Sequence, residues 1–204
     1  MAQNKGQNFE RDVCRTLSLW WSAGEEDDIF WRNRTRRTGK AYNAQIQEGD
    51  IIAVKSAGIP LTDVFCVECK SGYSSKKSVT KKTKEKRARV KEKVKNIPWD
   101  LLGVLDGSTG VIANATIVKF WEQARKAADL TNKIPLLIFK RDFHVPVVVV
   151  GSDFFKVCEC FEQDIMKITV SWISEEDLYF YRLESFLKVF PPEAVKKYMR
   201  VMNV

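Results

Sequence analysis

The chain has 204 residues, 45% of them apolar and 11% aromatic, which is enough for one packed core and excludes a chain disordered throughout. The longest stretch without Asp, Glu, Lys or Arg is Gly107–Val118, twelve residues, against the about 18 that a membrane-spanning helix needs. The net charge of +8 turns the search for partners toward polyanions, while the shortness of the apolar stretches turns it away from membranes.

Phe9, Val13, Leu17, Trp20 and Trp21 recur at helical spacing, so residues 5–22 are expected to form an amphipathic helix closed by Gly24. Lys5, Glu10, Arg11, Asp12 and Arg15 leave no apolar leader segment there, and an intracellular location is the expectation. Glu10 stands about 100° round the helix from Phe9, at the border of the buried stripe. Ile29–Arg32 reads as a short strand and Thr38–Gln47 as a polar loop. Asp50–Ser56 and Asp63–Lys70 read as two strands joined by a turn at Ala57–Pro60, hence a hairpin. Between Lys76 and Lys95 stand nine Lys, two Arg and two Glu, so this arm carries +9 and the other 184 residues sum to −1. Thr116 is placed to cap a helix through Leu130, with Ile117, Phe120, Trp121, Ala124, Ala127 and Ala128 on one face. Ile134–Lys140 and Val145–Val150 read as strands joined by a turn that carries His144. Asp153–Cys160, a strand at Ile165–Trp172 and helices near Glu175–Phe190 and Pro192–Met202 complete the chain. Helices and strands interleave, which predicts an α/β (α+β) class with a mixed sheet. Residues 1–150 are expected to form its core, with 151–204 a C-terminal extension packed on it.

The chemistry concentrates on Asp63–Lys70. Along a strand side chains alternate, which puts Cys66, Glu68 and Lys70 on one face and Phe65, Val67 and Cys69 on the other. An acid and a lysine on an otherwise apolar strand are costly unless something uses or pairs them. Asp50, brought across by the neighbouring strand, would give a second carboxylate, and two carboxylates can hold a hard cation such as Mg²⁺. Lys70 beside that cation would favour hydroxide over water, and Glu10 could add a further carboxylate. The basic residues supply the other half of the reading. Arg32, Arg34, Arg36, Arg37 and Lys40 join Lys76, Lys77, Lys81, Lys82 and the rest of the arm in two clusters suited to a phosphate backbone.

Gly49-Asp50-Ile51-Ile52, Glu68-Cys69-Lys70 and Asn8-Phe9-Glu10 together resemble the PD-(D/E)xK nuclease superfamily, with Gly49 where the motif's name has proline. The sequence looks most like the archaeal-type Holliday junction resolvases, with related phage and restriction nucleases close behind. The likeness covers about residues 5–150, and 151–204 has no counterpart. It implies a restriction-endonuclease-like core with flanking helices. It implies too that Asp50, Glu68 and the backbone carbonyl of Cys69 ligate Mg²⁺, for which Mn²⁺ could substitute. Lys70 would position or activate the attacking water, and Glu10 would orient Lys70 or bind a second ion. The implied reaction is metal-dependent hydrolysis of DNA phosphodiesters, directed to branched DNA by a homodimer. Cleavage of linear duplex in restriction or repair, or nucleic-acid binding without catalysis, stays open beside it.

Other signals are weaker. A single histidine, His144, excludes two-His chemistry within one chain. Five cysteines at 14, 66, 69, 158 and 160 fit reduced thiols rather than a disulfide framework. Cys66-x-x-Cys69 is a poor half-site for zinc, since strand alternation separates the two thiols. Trp20 and Trp21 are expected in the core, Gln123 at its edge, and Lys140-Arg141 either at phosphate or in solvent.

Overall fold

The computed structural model describes residues 2–33, 49–71, 116–141, 143–157, 168–171 and 177–202. The basic residues Arg34, Arg36, Arg37, Lys40, Lys76, Lys77, Lys81 and Lys82 lie outside them.

Helix α1 (Ala2–Trp21) buries Phe9, Val13, Cys14, Leu17 and Trp21 along one stripe. It stops where Ala23 and Gly24 take positive φ, 54° and 94°. The Gly24 N–H then donates back to the Leu19 carbonyl at 2.6 Å, the six-to-one bond of a glycine-terminated helix. Strands β1 (Phe30–Arg32) and β2 (Ile51–Ala53) pair antiparallel as a small two-stranded sheet. A 3₁₀ turn (Ser56–Gly58) and helix α2 (Ile59–Val64) follow, then strand β3 (Phe65–Ser71).

The expected hairpin between 50–56 and 63–70 is therefore not formed. Pro60 in the first turn of α2 favours a helix, and β3 instead pairs in parallel with β4 (Ile134–Lys140). Helix α3 (Thr116–Asp129) precedes β4, and β5 (Val147–Val150) returns antiparallel from it. After helix α4 (Phe154–Val157) come β6 (Ile168–Ser171) and β7 (Asp177–Arg182), which pair with one another, and β7 also pairs with β5. Residues near 175–190 were expected to be helical throughout. The aromatic run Tyr179-Phe180-Tyr181 suits a strand instead, and helix α5 (Leu183–Val189) begins only after it. Helix α6 (Pro192–Met202) ends the described chain.

The main sheet runs β3-β4-β5-β7-β6, with one parallel pair and the rest antiparallel. Its mixed character, with helices on both faces, is the expected α/β class and is consistent with a restriction-endonuclease-like fold. Val67, Cys69, Leu136, Ile138, Val148, Val150 and Tyr181 face α1 and the aromatic cluster of Phe154, Phe186 and Phe190. Leu137, Val149 and Leu178 face Ile117, Val118, Phe120, Trp121 and Ala124 of α3. Residues 151–204 thus supply two strands of the sheet and much of one helical layer. Among the described residues no helix is long and apolar enough to cross a membrane.

One polar link fastens α1 to β1. The buried Ser18 hydroxyl donates to the Cys14 carbonyl at 2.8 Å and accepts the Phe30 N–H at 3.0 Å. Ser18→Ala leaves that buried N–H without its acceptor, so urea unfolding is expected to show a loss of about 1–3 kcal/mol.

Candidate active site

Strand β3 lies at one edge of the sheet, and Asp50 docks on its free side. The Asp50 N–H donates to the Val67 carbonyl at 2.8 Å, and the Cys69 N–H donates to Asp50 Oδ2 at 2.8 Å. Asn33, at the end of β1, fastens the same peptide from behind. Its N–H donates to the Asp50 carbonyl at 2.8 Å and its Nδ2 to the Gly49 carbonyl at 3.2 Å. Sequence reasoning missed Asn33, since nothing in its neighbours marks a residue that acts on a peptide sixteen positions away.

Gly49 makes the docking possible. Its φ of +83° is strained for any other residue, and a Cβ there would stand 2.7 Å from the Val67 carbonyl oxygen. This also explains the absence of proline, whose ring holds φ near about −65°.

Glu68 is fully buried, and Lys70 reaches it with Nζ 2.5 Å from Oε1. Pairing answers the cost of burying a carboxylate beneath an apolar layer. Glu68 stands in register with Leu137, Val149 and Phe180, a row covered by α3. Cys69 points to the α1 side, whereas Cys66 packs with Ala127 and Ala128 of α3. The two thiols therefore sit on opposite faces, as alternation required.

Glu10 reaches the site from α1, where its Oε2 accepts from Arg32 Nε at 2.5 Å in a largely buried ion pair. Its bond is thus to Arg32, while Lys70 bonds to Glu68. Glu10, Asp50 and Glu68 nonetheless all lie near enough to Cys69 to act on its thiol. Burial first, then Asp50, Cys14, Glu10 and Glu68, hold the Cys69 thiol well above its ordinary range. Burial, then Glu10, push the Cys14 thiol up to about 12, with Asp50 adding to the rise and Arg32 opposing it.

Asp63 is exposed on α2, Gln123 is exposed on α3 rather than packed at a core edge, and His144 is exposed in the β4–β5 turn. Trp21 is buried and Trp20 stacks on Phe190 with ring centroids 6.0 Å apart, so both serve the core. Among the described residues no group of three or more His, Cys, Asp or Glu side chains is placed to hold a metal.

The class is thus a mixed α/β sandwich with two buried carboxylates and a lysine gathered at the edge of its sheet. Residues 108–197, somewhat under half of the chain, match the family described as phage putative PDDEXK endonuclease. The match supports a nuclease of the PD-(D/E)xK superfamily. It covers α3 through most of α6, and so includes much of the stretch after 150 for which the sequence offered no counterpart. Asp50, Glu68 and Lys70 lie outside it. No curated protein and no solved structure gives a match.

Two predictions follow the geometry. Gly49→Ala combines a left-handed backbone with a clash against fixed main chain, so denaturant titration is expected to show a loss of at least about 2 kcal/mol. The raised Cys14 thiol makes the second. The folded thiol keeps its proton up to about 12, whereas an unfolded one ionises near 9.0, so its contribution is whole below about pH 9 and declines as pH rises toward 12. The urea midpoint should fall more steeply above about pH 9 in the wild type than in Cys14→Ala.

Proposed function

We propose that the protein is a divalent-metal-dependent DNA endonuclease whose centre is Asp50, Glu68, the Cys69 carbonyl and Lys70. The observation that carries the reading is the docking of Asp50 on β3 beside a buried Glu68–Lys70 pair.

The donor set fits a hard cation. Asp50 accepts the Cys69 N–H with Oδ2, which fixes the direction of its carboxylate. In a strand a residue's N–H and C=O point to the same edge, which directs the Cys69 carbonyl to the side where Asp50 sits. Two carboxylates and a carbonyl are few ligands, and that suits Mg²⁺, which keeps several of its waters; Mn²⁺ would substitute. The bound ion would supply charge to the phosphate oxygens and lower the pKa of a coordinated water. Lys70, 2.5 Å from Glu68, holds a positive charge where the attacking oxygen must lose its proton. Arg32 neutralises Glu10 at the back of the site, so Glu10 acts by holding Arg32 and shaping the field rather than by gripping Lys70.

DNA is the substrate, bound along its backbone by the basic clusters at 34–40 and 76–95. Backbone contacts position without reading sequence, which favours cleavage directed by DNA structure. Branched DNA of the Holliday junction kind, cut by a homodimer, is the reading the sequence resemblance supports.

Labelled four-way junction, flap and linear duplex incubated with Mg²⁺, with an EDTA control, test this. Metal-dependent, paired cuts at the junction are expected. Lys70→Met should lose about 100-fold or more in single-turnover rate while DNA affinity changes little. Equal cleavage of all three substrates would leave the nuclease and remove the structural preference. No cleavage of any of them would remove the enzyme.

A further inference from the structure

The turn between β4 and β5 carries an aromatic ring that folding does not use. The His144 N–H donates to the Arg141 carbonyl at 3.1 Å, closing the turn. Phe143 stands third in it with φ +65°, a position that glycine or asparagine fills at little cost. Its relative exposure is 104%, the highest of the exposed large apolar residues. Among the described residues no packing repays the strain or the hydration of the ring, which leaves it available to a partner.

Position says what that partner is. β4 runs parallel to β3 with Lys70 opposite Phe139 and Ser71 opposite Lys140, so the turn leaves the end of the sheet that carries Glu68 and Lys70. Along the chain Phe143 is at most about 14 Å from Phe139, a reach of about four nucleotides of a stacked strand. Cations stand close by along the chain and across the sheet, although the acidic Asp142 comes between them and the ring in the sequence. Lys140 and Arg141 precede Asp142, and Arg182, exposed at the end of β7, stands level with Lys70 through the register Lys70–Phe139–Val147–Arg182. An exposed ring among cations at the site end of the sheet matches a nucleic-acid strand, which offers phosphates and, where unpaired, the faces of its bases.

We propose that Phe143 is a stacking contact for an unpaired or unstacked base near the cleaved phosphate, so that the protein selects DNA with interrupted base pairing. This rests on the nuclease reading and names its substrate class.

The test uses Phe143→Asn and Phe143→Trp, each in the full chain that also carries Glu68→Gln, so that binding is measured without cleavage. Asparagine suits the left-handed position, and its melting temperature should equal or exceed that of the parent. Its affinity for a flap or four-way junction should fall about tenfold, with affinity for continuous duplex unchanged and Phe143→Trp restoring the loss. The slope of log affinity against log salt should not change, since no cation is removed. In a junction labelled with 2-aminopurine at the branch, the fluorescence change on binding should be lost with asparagine and kept with tryptophan. Equal affinity of Phe143→Asn and its parent for all three DNAs would overturn the proposal. So would a loss of self-association with DNA affinity intact, which would show that a second copy covers the ring. If Glu68→Gln by itself still cleaves DNA as the wild type does, the site assignment fails instead, and the binding comparison judges Phe143 separately.

Discussion

Asp50 is held against the free edge of β3 by two hydrogen bonds to that strand's backbone, and the rest of the site depends on that contact. The strand would otherwise expose its Val67 carbonyl and Cys69 N–H to solvent or to another chain. Gly49 lets the preceding peptide come close enough, and Asp50 then satisfies both groups, one with its N–H and one with its carboxylate. A carboxylate that accepts a main-chain N–H cannot swing away without leaving that donor unpaired, which gives the acid a fixed direction at small entropic cost. Strands β1 and β2 and the Asn33 clasp serve to deliver this one dipeptide.

The second acid is fixed by a different device. Glu68 belongs to a row that α3 covers, so its charge must be answered locally, and Lys70, two residues along the same face, does so. Removing either partner would strand a charge in an apolar layer. Glu10 and Arg32 repeat the arrangement on the other side of the sheet, linking α1 to β1. The site therefore stands where the two helical layers meet the sheet edge, with each buried charge paired or bonded to main chain. Such pairs are weak contributors to stability; their concentration at one edge fits chemistry better than architecture.

Much of this was legible in the residues. The apolar period of α1, the face of α3 and the alternation of β3 follow from side-chain spacing, and alternation placed Glu68 with Lys70 and separated Cys66 from Cys69. The partner of Glu10 was not legible, because Arg32 is twenty-two positions away and stood among cations read as phosphate contacts. The hairpin was misread because Val64 continues the apolar run of β3 backward, although Pro60 signals a helix start. Near 175–190, helical spacing of Leu183, Phe186 and Phe190 hid the strand before them. The role of Gly49 was visible only as a missing proline until its φ and its distance from Val67 were known.

The central claim is that Asp50 and Glu68 hold a divalent ion. Titrating Mn²⁺ into the wild type, Asp50→Asn and Glu68→Gln, followed by calorimetry and by the paramagnetic signal of free Mn²⁺, tests it most directly. A bound ion is expected in the wild type, with a loss of at least about tenfold in affinity in each variant. Equal Mn²⁺ affinity in all three proteins, or none in the wild type, would contradict it.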